Sequence, residues 1–219
     1  MQNILRILFY LFNLIVLALP LYLIKETLQF NNSSELLFLL HRIFGLYAFS
    51  LIFLQIILGS GRPILAHLFP SYAIINFHQS SGKIAFLFAF LHPILLLSTY
   101  FTESNLGYVT SFLAGDMSVY FWTGVIAYFA LFVSVGAAIF RRYIGPNWVY
   151  FHRLNYLIFW LIFFHSFQFG LDVHSDLGQG MYLVYGTIVG ALTLRKFFAP
   201  KLFTPHIKVS NSVEETDKS

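Results

Sequence analysis

The chain has 219 residues, of which 58% are hydrophobic, 20% are aromatic and only 10% are charged. Because an average water-soluble domain carries about 25% charged residues, this composition excludes a soluble globular protein and indicates a protein of the lipid bilayer. The formal net charge of +4 comes from short basic clusters between apolar runs, which excludes a nucleic-acid-binding face. The lack of cysteine excludes disulfides, thiolate metal sites, iron–sulfur clusters and covalently attached c-type haem.

Six apolar segments, taken in chain order, are long enough to cross a bilayer, which requires about 20 apolar residues in a helix. They cover residues 4–24, 36–58, 73–100, 118–140, 148–170 and 179–198. The sequence therefore predicts an all-α membrane protein, a six-transmembrane-helix bundle that occupies residues 1–203. The remaining residues, 204–219, are polar, and we predict a disordered cytoplasmic tail there.

The placement of charge predicts the orientation of the bundle, because lysine and arginine favour short cytoplasmic loops. With Lys25 as the one loop exception, the basic loop residues fall on the side that also carries both termini: Arg6, Arg62, Arg141, Arg142, Arg195, Lys196 and Lys201. The acidic residues that precede the tail fall on the other side: Glu26, Glu35, Glu103, Asp116, Asp172 and Asp176. We therefore expect a multi-pass protein of the cell membrane with both termini in the cytoplasm.

Four histidines lie within two predicted helices that run in the same direction across the bilayer. His78 and His92 are 14 residues apart in the third helix, and His152 and His165 are 13 residues apart in the fifth. These spacings separate two levels by roughly 20 Å along a helix. Ionisable side chains are costly inside a membrane and usually mark function. The pattern predicts two bis-histidine b-type haems, with His78 and His152 at the inner level and His92 and His165 at the outer level.

Roles without haem stay open for these histidines. They could serve hydrogen bonding and packing, a proton relay, or a zinc or copper site, although the ligands of one such ion would converge within a few ångströms. A spacing of 13 residues also misses a common helix face by about 140°, so the fifth helix must tilt, bend or rewind.

Four further residues are candidates for cofactor binding, and for His41, Lys83 and Arg153 the expected contact is with haem propionates. His41 and Arg42 lie near the outer end of the second helix, and Lys83 and Arg153 lie near the inner histidines. An interfacial position for His41 and snorkelling of the two inner cations to the membrane surface are the alternatives.

The sequence resembles the ferric reductase-like transmembrane domain family, which includes the membrane domains of ferric reductases and NADPH oxidases. The resemblance rests on the motifs Phe-His-Gln at 77–79, Leu-His-Pro at 91–93, Phe-His-Arg-Leu at 151–154, Phe-His-Ser at 164–166 and Leu-His-Arg-Ile-Phe-Gly at 40–45. It implies the same four haem ligands, and electron transfer from a cytoplasmic donor to an extracytoplasmic acceptor such as ferric iron or a partner oxidoreductase. The chain resembles the stand-alone members, which lack a flavin- and nicotinamide-binding domain.

A stand-alone member needs a partner for its electron supply, so we expect an oxidoreductase component that depends on a separate reductase, a bound flavin (FMN or FAD) or a quinol. Two alternatives remain for the function. One is a quinol-linked cytochrome b subunit, and the other is a non-redox membrane subunit whose histidines are structural.

Overall fold

The computed structural model describes residues 1–25, 28–102, 107, 110–111 and 118–198. Within these ranges the chain is helical and contains no strand, which confirms the predicted all-α class. The predicted tail, 204–219, lies outside the described residues. The helices are α1 (Gln2–Ile24), α2 (Ser33–Leu65), α3 (Ser71–Thr102), α4 (Val119–Ile139), α5 (Arg141–Ile144), α6 (Trp148–His152), α7 (Asn155–Phe169) and α8 (Asp176–Phe198). Two 3₁₀ segments, Gly145–Asn147 and Leu171–His174, connect them.

Five helices among the described residues are long and apolar enough to cross a membrane, namely α1, α2, α3, α4 and α8. The chain is therefore an integral, multi-pass membrane protein. Residues 148–170 were predicted to form one span, but the structure has two shorter helices there, α6 with 5 residues and α7 with 15 residues.

The interruption lies at Arg153 and Leu154, where the backbone is wound more tightly than in an α-helix. The Leu154 N–H donates to the Phe151 carbonyl at 3.1 Å, and the Tyr156 N–H donates to the Arg153 carbonyl at 3.2 Å. These bonds reach back three residues rather than four, as in a 3₁₀-helix, which turns about 120° per residue instead of about 100°. The extra rotation reduces the angular mismatch between His152 and His165 that a regular helix would impose.

Helix α2 is the centre of the bundle and packs against α1, α3, α7 and α8. Its most apolar stretch is 56% buried, whereas the corresponding stretch of every other candidate span is 28% buried or less. Phe53 of α2 stacks on Tyr185 of α8 with a centroid distance of 3.8 Å, and Phe49 stacks on Tyr182 at 4.8 Å. Packing on both sides thus holds α2 in place, and α2 can serve as a support for α3.

The N-termini of α2 and α4 are capped by side chains that their sequences provide. Asn32 precedes α2, and its Oδ1 accepts from the Glu35 N–H at 2.8 Å. Ser118 precedes α4, and its Oγ accepts from the Phe121 N–H at 3.4 Å. Such caps satisfy N–H groups that have no partner within the helix, and so they determine where each helix begins.

Candidate cofactor site

The inner level brings together His78 of α3 and His152 at the end of α6. Their ring centroids are 6.1 Å apart and their planes are inclined by 78°. A metal–imidazole bond is about 2.0–2.1 Å long, so two imidazoles on opposite sides of one metal ion have centroids about 6 Å apart. The separation of the two rings is therefore suitable for axial ligation of a single iron.

The outer level contains three histidines rather than the expected two. His92 of α3 stacks on His41 of α2, with a centroid distance of 4.0 Å and an interplanar angle of 17°. This distance is too short for the two rings to lie on opposite sides of one iron. His165 of α7 is close enough to both rings to interact with them electrostatically. Of the three, His165 is the one on the other helix that the sequence predicts to carry ligands, α7.

Backbone carbonyl groups define which ring nitrogen carries the proton at the outer level. His92 Nδ1 is 2.9 Å from the His41 carbonyl, and His41 Nδ1 is 2.9 Å from the His92 carbonyl. His165 Nδ1 is likewise 2.9 Å from the Tyr120 carbonyl of α4. A carbonyl can only accept, so Nδ1 must be the donor in each ring, and Nε2 of the neutral ring keeps its lone pair. Metal-ligating histidines have this arrangement.

Two glycines make room for the outer rings against neighbouring helices. A Cβ at Gly45 of α2 would lie 2.7 Å from His92 Nδ1, and a Cβ at Gly124 of α4 would lie 2.5 Å from His165 Nδ1. Each glycine stands four residues after the carbonyl that accepts from the same ring, His41 for Gly45 and Tyr120 for Gly124. Both outer rings are thus seated in the same way, over a glycine and against a carbonyl one turn earlier.

The inner rings are held by the same two helices through different groups. The Gln55 side-chain amide of α2 lies 2.9 Å from His78 Nδ1. His152 has the Ser134 backbone of α4 as a hydrogen-bond partner. The side-chain amide nitrogen of Asn155 is 3.4 Å from His152 Nδ1, and its oxygen accepts from Ser134 Oγ at 3.0 Å. Each inner imidazole therefore also contacts a polar group other than the facing imidazole.

Sequence reasoning missed the supporting role of these residues, although their spacing carries a signal. His41 and Gln55 are 14 residues apart in α2, and Tyr120 and Ser134 are 14 residues apart in α4. The same spacing separates the histidines of α3 that α2 contacts, so α2 supports α3 at both levels. The common spacing of 14 could have identified α2 and α4 as the helices that hold the histidines.

The cationic candidates are either paired with another side chain or exposed. Arg42 forms an ion pair with Asp172 of the 3₁₀ segment Leu171–His174, and its Nε donates to Asp172 Oδ2 at 3.2 Å. Lys83 is exposed, and so is Arg153, whose guanidinium lies 5.7 Å from the centroid of the Tyr150 ring. Cofactor binding by these three residues and by His41 stays a prediction.

No group of three or more histidine, aspartate or glutamate side chains converges as a metal-ion site within the part of the chain that the structure describes. A pair of imidazoles on opposite faces of a macrocycle needs no third protein ligand, because the macrocycle supplies the other donors. Phe86, Phe90 and Phe132 form an aromatic cluster between α3 and α4, and such apolar surroundings suit a porphyrin.

The fold and the site together define a class: multi-pass helical membrane proteins with paired histidines at two levels. The family model described as "Ferric reductase like transmembrane component" matches residues 44–163, more than half of the chain, and the chain belongs to this family. The matched range contains His78, His92 and His152 and ends two residues before His165. No curated protein and no solved structure matches the sequence significantly.

Proposed function

We propose that the protein transfers electrons across the cell membrane through two b-type haems, each bound by two histidines. The observation that carries this proposal is the geometry of His78 and His152, whose centroids lie 6.1 Å apart. The carbonyl-bound Nδ1 atoms of His92 and His165 support the same role at the outer level, because each Nε2 is left with a lone pair.

In this proposal the chain holds its cofactors between α3 and the α6–α7 pair. Helices α6 and α7 together form one crossing, and with the five long helices they give six crossings. Both termini then face the cytoplasm, as the loop charges predict. Bound haem supplies a one-electron carrier at each level. The chain's own groups orient the imidazoles from α2 and α4, keep the two levels roughly 20 Å apart and surround them with apolar side chains.

The partners follow from this direction of transfer. A separate cytoplasmic reductase, a flavin or a quinol would supply electrons at the inner level, beside His78 and His152. Ferric iron or an extracytoplasmic oxidoreductase would accept them at the outer level, beside His92 and His165. The chain is then the membrane component of an oxidoreductase system.

The test is haem quantitation and a reduced-minus-oxidised visible spectrum of the purified protein. We expect about two b-type haems per chain, and His92→Ala should remove mainly the outer one. The exposed His67 provides a matched control, because His67→Ala should leave both in place. A wild-type protein without haem would refute the proposal. Equal loss of both haems in a folded His92→Ala variant would contradict the assignment of ligands to levels.

A further inference from the structure

Gln55 contacts His78 through a side-chain amide whose donor and acceptor atoms can change places by a simple rotation. The outer rings, in contrast, donate to backbone carbonyls of His41 and Tyr120, which are fixed within helices. The Gln55 amide presents either its nitrogen or its oxygen to His78, depending on the rotation of its terminal torsion. The His78 ring proton is therefore placed less firmly than the ring protons of the outer level.

With its nitrogen toward His78, the Gln55 amide has a suitable partner for both of its polar atoms. Nε2 then donates to His78 Nδ1 at 2.9 Å and to the His78 carbonyl at 2.8 Å, while Oε1 accepts from the Gly82 N–H at 3.3 Å. Ser81 Oγ lies 2.7 Å from Oε1, and its one proton is shared between Oε1 and the Phe77 carbonyl at 2.6 Å. In this orientation His78 Nδ1 is an acceptor, so the proton of the neutral ring lies on Nε2. Such a ring has no lone pair on Nε2 for a metal.

In the opposite orientation the ring is ready to bind iron, but the amide is less well satisfied. Oε1 now accepts from the protonated Nδ1 of His78, and the amide nitrogen donates to Ser81 Oγ at 2.7 Å. The lone pair of His78 Nε2 is free. However, Oε1 then lies 2.8 Å from the His78 carbonyl oxygen, and two acceptors at that distance repel each other.

We propose that Gln55 is a positioning residue of the inner site, whose amide turns when His78 binds iron and thereby tunes the reduction potential of that haem. This inference rests on the proposed function. Its physical basis is that a group accepting from Nδ1 orients the imidazole and raises its basicity as a ligand. Because the amide can also turn its nitrogen toward His78, Gln55 does this only in part, and a carboxylate, which has no donor to turn toward the ring, should have a visible effect.

The test is a redox titration of the haem-loaded full chain with Gln55→Glu and Gln55→Leu. A carboxylate accepts from Nδ1 in every orientation, so Gln55→Glu should favour the oxidised inner haem by about tenfold or more, which is about 59 mV for a one-electron couple. Gln55→Leu removes the acceptor and should weaken inner haem binding by about 10–100-fold. The outer haem should titrate as in the wild type in both variants.

Ser50→Ala is the matched control, because Ser50 is a fully buried polar residue of α2 whose hydroxyl contacts Tyr185 at 3.5 Å and neither histidine level. It should leave both potentials unchanged. An unchanged inner potential in Gln55→Glu, or an equal shift at both levels, would overturn the inference.

A second measurement does not depend on bound haem. In ¹⁵N-histidine spectra of the haem-free full chain, His78 should carry its proton on Nε2 in the wild type and on Nδ1 in Gln55→Glu. A wild-type His78 protonated on Nδ1 would refute the amide orientation on which the inference rests. A wild-type protein that never binds haem would instead refute the proposed function, so the two failures can be told apart.

Discussion

The outer imidazoles depend on residues that have no side chain at all. Gly45 and Gly124 allow His92 and His165 to lie directly against the backbones of α2 and α4, within reach of a carbonyl one turn earlier. Any Cβ at these positions would overlap a ring, because 2.5–2.7 Å is well inside van der Waals contact. The position of each of these two imidazoles therefore depends on a glycine of the neighbouring helix, which leaves room for the ring.

Gly124→Ala should displace His165 and break its bond to the Tyr120 carbonyl. Loss of such an orienting partner typically lowers metal affinity by about 10–100-fold, so we expect outer haem to be depleted while inner haem stays. Haem content and a redox titration measure this. Gly136→Ala on the same helix is the control, since a Cβ there meets nothing within 4 Å. The same loss of haem in both variants would contradict the role given to Gly124.

Between elements, one ion pair links the outer end of α2 to the connection between α7 and α8. The side chains of Arg42 and Asp172 are only 13% and 7% exposed, so neither charge is well solvated. Removing one partner of such a buried pair destabilises the protein strongly, because the remaining charge is then buried and unpaired. The pair thus holds Leu171–His174 against the central helix, close to the outer level.

Asp172→Ala should destabilise the protein by about 3–5 kcal/mol because it leaves the Arg42 guanidinium unpaired. The double variant Arg42→Ala/Asp172→Ala should lose less, since it leaves no buried charge. Thermal unfolding in detergent would measure both effects. Asp176→Ala, at an exposed position in the first turn of α8, should change stability by about 1 kcal/mol or less. A double variant less stable than Asp172→Ala would argue against the ion pair.

For the molecule as a whole, the proposed orientation places the connection α4–α6 in the cytoplasm and the connection α7–α8 outside. The natural chain contains no cysteine, so any cysteine that is introduced becomes a unique chemical label. Tyr143 of α5 is 89% exposed, and His174 of the second 3₁₀ segment is also exposed. In this proposed orientation the two positions lie on opposite faces of the membrane.

In intact cells, a membrane-impermeant maleimide should label His174→Cys and leave Tyr143→Cys unmodified. After permeabilisation both variants should react, which controls for accessibility. The expectation follows from the preference of Arg141 and Arg142, beside Tyr143, for the cytoplasmic side. Labelling of Tyr143→Cys alone in intact cells would show the reverse orientation.

Much of the fold was predictable because a bilayer restricts the choices of the chain. Long apolar runs must become helices, since every backbone polar group needs an internal partner in lipid, and five predicted spans have counterparts in α1, α2, α3, α4 and α8. The interruption of the helix after His152 was harder to predict. Residues 148–170 are apolar throughout most of their length, and only the mismatch of the 13-residue spacing indicated that the helix could not be regular there.

Hydrophobicity and helical rise are local properties, so the amino-acid sequence was enough to predict a helical membrane protein whose intramembrane histidines occupy two levels. That His92 stacks on His41, that the Tyr120 carbonyl accepts from His165 and that Gln55 faces His78 became visible only in the packed helices. The hydrogen-bond partners of the outer rings are backbone carbonyls, which every residue possesses. Only the packing of one helix against another selects which carbonyl meets a ring, so the residue type at the accepting position does not reveal it.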